Sequence, residues 1–167
     1  MASLYLIPNG PSPTTAAQVA VTTGTAIKTM LQVKPLNVCR VIEWGISFDG
    51  SAAATPIDCE LLTTGTVFAT VTAHVAAGIV DFGSGLVQAA PATNFTLSTS
   101  GTGYTGSAEG SITVSRMLDV QHIAPTSQYV KQFPLGREPV VDPSDILRIR
   151  VTAAAAVNAY CYVIVEV

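Results

Sequence analysis

Charge is what this sequence has least of. Only 11% of its 167 residues are Asp, Glu, Lys or Arg, against roughly a quarter in an average soluble domain. The 8 basic and 11 acidic residues leave a formal charge of −3, which argues against the positive field that a phosphate backbone requires. Histidine is nearly absent: His74 and His122 stand far apart, and neither has a second His at i+2 or i+4 to begin a metal site. The three cysteines, Cys39, Cys59 and Cys161, are odd in number and irregularly spaced, so they give neither a disulfide framework nor a C-x-x-C pair. They read as small buried thiols in a reducing compartment, with an intersubunit disulfide as the alternative. Aromatics make up 7%, with a single Trp. Long apolar runs are missing too. The longest, Val151 to Ala159, is mostly Ala and is interrupted by Thr152 and Asn158, well short of the roughly 20 residues of a spanning helix. The opening Met1 to Pro8 has no basic n-region and its apolar stretch stops at Pro8, so no signal peptide or membrane anchor is expected. The chain is expected to be soluble and to stay where it is made.

What is present is a large apolar fraction, 49%, enough to bury a core and to exclude disorder as the main state. The length suits one domain. Ile27, Thr29, Leu31 and Val33 alternate with Lys28, Met30, Gln32 and Lys34. Ile42, Trp44, Ile46 and Phe48 alternate with Glu43, Gly45, Ser47 and Asp49. Leu147, Ile149 and Val151 alternate with Arg148, Arg150 and Thr152. Period two places one set toward a core and the other away from it, and Trp44 falls in the core set. Tyr160 to Val167 is apolar on both faces, which predicts a central strand or an outer face covered by another subunit.

Further strands are predicted at Leu4 to Ile7, Ile57 to Leu62, Ile112 to Arg116 and Tyr129 to Phe133. Turn chemistry separates them at Pro8-Asn9-Gly10-Pro11, Asp49-Gly50-Ser51, Leu135-Gly136 and Asp142-Pro143-Ser144-Asp145. Val67 to Val80 offers at most one short helix, weakened by Thr70, Thr72 and Gly78. About eight strands predict an all-β fold, a jelly-roll-like β-sandwich over residues 25–167. Residues 1–24, kept extended by Pro8, Pro11 and Pro13, read as an N-terminal arm that packs on a neighbouring subunit. An ordinary first strand is the competing reading. Residues 76–110 are rich in Gly, Ser, Thr and Ala, with only Asp81 and Glu109 charged. They predict a long functional loop or an extra hairpin around Phe95 to Leu97.

No spacing carries catalysis. Gly101-Thr102-Gly103-Tyr104-Thr105-Gly106 has the letters of a dinucleotide fingerprint without a following helix to hold a pyrophosphate. Ser84, between Gly83 and Gly85, is not a nucleophile elbow. Asp58 and Glu60 share a strand face, which reads as solvated rather than as a glycosidase pair. Arg137, Arg148 and Arg150, interleaved with Glu138, Asp142 and Asp145, read as ion-pairing residues within or between subunits. No enzymatic activity, metal or organic cofactor is expected.

Three stretches together resemble a known group. They are Leu4-Tyr5-Leu6-Ile7-Pro8-Asn9-Gly10, then Val41-Ile42-Glu43-Trp44-Gly45-Ile46-Ser47-Phe48-Asp49-Gly50, then Phe133-Pro134-Leu135-Gly136-Arg137-Glu138 with Leu147 to Ala153 and the final strand. In this order they resemble the capsid decoration (cement) proteins of tailed bacteriophages. The resemblance implies a virion structural protein, usually a homotrimer, that clamps neighbouring capsomers on the outer capsid surface after assembly in the host cytoplasm. Its partners would be the major capsid protein and copies of itself, with no direct nucleic acid and no membrane. Candidate oligomer or capsid contacts are Leu4, Tyr5, Leu6 and Ile7 in the arm, with Arg137, Arg148 and Arg150. The alternative is a phage tail or receptor-binding, carbohydrate-binding β-sandwich.

Overall fold

The computed structural model describes residues 3–11, 17–82, 90–111 and 113–167. The described residues form an all-β fold of two antiparallel sheets packed face to face, a β-sandwich. In chain order the strands are β1 (Leu4–Pro8), β2 (Val21–Thr22), β3 (Lys28–Val33), β4 (Cys39–Phe48), β5 (Ile57–Thr63), β6 (Thr70–Ala73) and β7 (Val80–Asp81). There follow β8 (Gly103–Ala108), β9 (Arg116–Ile123), β10 (Gln128–Gln132), β11 (Val140–Val141), β12 (Leu147–Thr152) and β13 (Asn158–Glu166). The front sheet runs β10-β4-β13-β1-β7, with β11 also on β4 and β2 also on β13; the back sheet runs β6-β8-β3-β12-β5-β9.

The alternation seen in the sequence sets the core. Tyr5, Ile7, Val41, Trp44, Ile46, Cys161, Val163 and Val165 of the front sheet meet Leu31, Val33, Cys59, Leu61, Leu147, Ile149 and Val151 of the back sheet. All three cysteines are buried and free. β13 is a central strand, paired with β4 on one side and β1 on the other, which settles one of the two readings of its apolar character.

Several expectations are corrected. Residues 4–8 are no arm: Leu4 to Pro8 pair in register with Glu166 to Tyr162, and Tyr5 and Leu6 also pair with β7. Tyr5 and Ile7 are fully buried, because alternation drives every second residue of an interior strand into the core. Within the expected arm, Ser12 to Ala16, Pro13 among them, lie outside the described residues. The Val67 to Val80 stretch agrees with the expectation of at most one short helix: it holds a single 3-10 turn at Ala76–Gly78 between strands β6 and β7, since β-branched Val71 and the threonines favour a strand. Residues 76–110 are not one open loop. They hold that turn, β7, a four-residue helix Pro91–Asn94 and β8, and Phe95 forms a bridge to Pro35 with its ring in the core rather than a hairpin. Residues 83–89, including Ser84, lie outside the described residues. The strand expected at Ile112 to Arg116 begins instead at Arg116, and Ile112 is likewise outside them.

Candidate functional site

Period two along β13 sends Ala159, Cys161, Val163 and Val165 into the core and leaves Tyr160, Tyr162, Ile164 and Glu166 on the outer face of the front sheet. Register carries that face across the neighbouring strands. Tyr162 lies opposite Gly45 on β4 and Pro8 on β1; Gly45 in turn lies opposite Val130 on β10. One step along, Ile164 lies between Glu43 and Leu6, and Leu6 neighbours Val80 on β7. The result is an apolar band running from Val130 to Val80. Its rims are open: Val130 is 54% and Val80 39% exposed, while Tyr162, Ile164 and Leu6 are half-buried.

The polar groups on this face are largely engaged with one another. The Tyr162 hydroxyl donates to Glu43 Oε1 at 2.5 Å, and burial together with that carboxylate pushes the phenol up to about 12. Gly45 makes room for the ring: a Cβ there would lie 2.6 Å from Tyr162 Cε1. Beyond Ile164, Arg40 lies opposite Glu166 and acts on the Glu138 carboxyl, which its own backbone and the Gly136 N–H hold low. Ile42, Phe133, Pro134 and Leu135 join Arg40 and Glu138 around an open groove of about 410 Å³. Leu135, at the tip of the turn closed by Arg137 N–H to Pro134 O, is 95% exposed.

The candidate contact residues fall into different places. Leu4 and Leu6 lie on the outer face; Tyr5 and Ile7 lie in the core and present nothing to a partner. Arg137 is exposed on the 134–138 turn beside the groove. Arg148 and Arg150 are buried on the back sheet, 0% and 4% exposed, so they are not a surface patch. Arg148 donates to Val67 O and Glu109 O and lies 3.6 Å from the Glu109 carboxylate; Arg150 Nε donates to Glu60 Oε2 at 2.8 Å. These pairs lie within the subunit, where each buried cation gains a counter-charge. Burial, the larger effect, lowers the Arg148 pKa while Glu109 opposes it. Asp58, on β5 with Glu60, contacts exposed His122 at 2.9 Å.

No catalytic geometry emerges from these groups. His74 is buried far from His122's exposed position, and among the described residues no three His, Cys, Asp or Glu side chains gather to hold a metal. The Gly101 to Gly106 run leads into strand β8, not a helix. Val130, Val80 and Leu135 are the surface residues that sequence reasoning passed over. The signal for Val130 was present, since alternation within Tyr129 to Phe133 puts it opposite the face of Tyr129. Val80 had none, because only the fold brings it beside Leu6. No protein family, curated protein or solved structure matches the chain.

Proposed function

We propose that the protein is a virion structural protein of the capsid decoration type, bound as an oligomer to the major capsid protein on the outer surface of a phage head. The observation that carries this reading is the largely apolar outer band of the front sheet, from Val130 through Gly45, Tyr162 and Leu6 to Val80, half-buried in its middle and open at its rims, with Glu43 as the charged residue within it. Contiguous exposed apolar surface of this kind marks a contact with another protein. The resemblance in the Glu43 to Gly50 run supports the same reading, since Gly45 and Glu43 in that run seat Tyr162 on the band. The finer fold reading belongs here as well. The chain crosses between the sheets at β2 to β3, β3 to β4, β4 to β5, β6 to β7, β7 to β8, β9 to β10, β11 to β12 and β12 to β13, an alternation that suits a jelly-roll-like sandwich. A homotrimer is the expected assembly, and neither catalysis nor a cofactor enters the function.

The test is cross-linking mass spectrometry on particles that carry the protein. Cross-links from Lys131, at the β10 edge, to the major capsid protein and to a second copy are expected. A protein confined to the tail, or a monomer that binds glycans and yields no capsid cross-link, would overturn the proposal.

A further inference from the structure

We propose that His74 is an acid-sensitive clasp that holds the Val75 to Phe82 segment, and with it β7, against β1. The inference stands whether or not the protein decorates a capsid. His74 follows β6 of the back sheet, just before the chain crosses to β7 of the front sheet. Its backbone N–H donates to Thr102 O at 3.1 Å, and its ring is 3% exposed. Nε2 lies 2.7 Å from the Pro8 carbonyl, which can only accept, so Nε2 carries the proton and donates. The ring packs on Tyr104 with centroids 4.9 Å apart. Nδ1 is then the bare nitrogen, and it is enclosed without a hydrogen-bond partner.

That arrangement suits only the neutral imidazole. A proton on Nδ1 would create a buried donor with no acceptor and a charge with no counter-ion. The surroundings offer no relief. β6, the Ala76–Gly78 turn and the Thr96 to Thr102 stretch carry no ionisable side chain. β8 contributes only the Tyr104 phenol, with Glu109 beyond its end, β1 only Tyr5, and β7 only Asp81. Burial is the larger effect on the ring and lowers its pKa, while the bond to the Pro8 carbonyl opposes it.

The segment that the ring anchors places Ile79 in the core and makes a short pairing with the front sheet. β7 pairs with β1 through Tyr5–Asp81 and Leu6–Val80, and Phe82 N–H donates to Leu4 O. Opening this segment exposes the imidazole and restores its ordinary affinity for protons. The closed form is therefore fully favoured above about pH 6.5 and loses ground as pH falls below it, toward the lower value of the closed site.

Hydrogen exchange on the full chain reads this directly. After correction for intrinsic exchange, protection of the β7 and Phe82 amides should fall markedly between pH 7.5 and 5.0, by up to about thirtyfold, the limit for one group of ordinary pKa 6.5 in the open form that stays neutral in the closed form. In His74→Gln, whose amide can still donate to Pro8 O but does not titrate, the fall should shrink to under about threefold. Protection that does not change with pH in the native chain, or falls equally in His74→Gln, would overturn the clasp. Should that variant not fold, His122→Gln leaves one histidine whose imidazole resonance can be followed. A midpoint well below 6.5 with loss of β7 protection supports the clasp; an ordinary midpoint near 6.5 with β7 protection unchanged overturns it.

Discussion

Asp119 is the residue on which the open edge of the sandwich turns. It sits on β9 of the back sheet and accepts from Trp44 Nε1 at 3.1 Å and Tyr129 OH at 2.9 Å, both on the front sheet. Gln121 Nε2 at 3.1 Å, the Val120 N–H at 3.1 Å and Lys131 Nζ at 3.2 Å add to the set. Burial alone would raise its pKa, but the hydrogen bonds and Lys131 together outweigh it and hold the carboxyl below its usual value. A carboxyl whose pKa is lower in the folded chain stabilises the fold fully above its unfolded value, near pH 4, and that contribution disappears as pH falls through the folded value. Urea melts at pH 7, 4 and 2.5 should show this loss in the native chain and a weaker one in Asp119→Asn. Asp119→Ala leaves the buried Trp44 N–H, the half-buried Tyr129 hydroxyl and a lysine without an acceptor and should cost about 2–4 kcal/mol at pH 7. Trp44 was legible as core from its place in an alternating strand. Asp119 was not legible at all, because its partners come from two other strands and only the packing of β9 against β4 and β10 brings them together.

At the scale of elements, strands were legible wherever one face is apolar and the other polar, and their roles were not. The Leu4 to Ile7 run reads equally as an arm or as a strand, because a short apolar stretch before several prolines says nothing about what covers it. Its neighbours, β13 and β7, lie at the far end and in the middle of the chain, so the pairing is a long-range fact. Deleting residues 1–8 should therefore remove a core strand with Tyr5 and Ile7 and abolish folding of the single subunit. A folded truncated monomer by circular dichroism would contradict this placement; the intact chain should give a strand-dominated spectrum, since the described residues are 49% strand and 5% helix. The pairs Arg148–Glu109 and Arg150–Glu60 match the reading of these arginines as ion-pairing residues, but their partners and their burial were hidden for the same reason: only the fold brings the 64–69 and 109–111 segments over that face. Gly45 offers a sharper test of the front sheet. Gly45→Ala should displace the Tyr162 ring, weaken its bond to Glu43 and cost about 1 kcal/mol. Spectrophotometric titration should then show the Tyr162 phenol moving from about 12 toward its ordinary value near 10.

At the scale of the molecule, the scarcity of charge becomes a property of one face. The back sheet covers the polar side chains of its outer face with its own loops: Gln32 bonds Ala69 and Gly101, and Arg148 bonds Val67 and Glu109. The front sheet has no comparable cover over Val130, Ile164 and Leu6 among the described residues. The charges near its band are few and engaged, Glu43 accepting from the Tyr162 hydroxyl and Arg40 lying beside Glu138 and Glu166, so association there should depend weakly on salt and strongly on apolar contact. A single charge placed in the band should accordingly matter more than any change of ionic strength. Ile164→Asp puts an unpaired carboxylate where a partner must exclude water, at a half-buried position whose side chain points away from the core. Sedimentation equilibrium should show the native chain as an oligomer at micromolar concentration, in low and high salt alike. Ile164→Asp should sediment as a monomer with an unchanged strand signal, because a penalty of about 2 kcal/mol or more at each contact lowers the association constant at least about thirtyfold. An Ile164→Asp protein that remains oligomeric would move the interface off this face, and an Ile164→Val control that stays oligomeric would separate the charge from the change in shape.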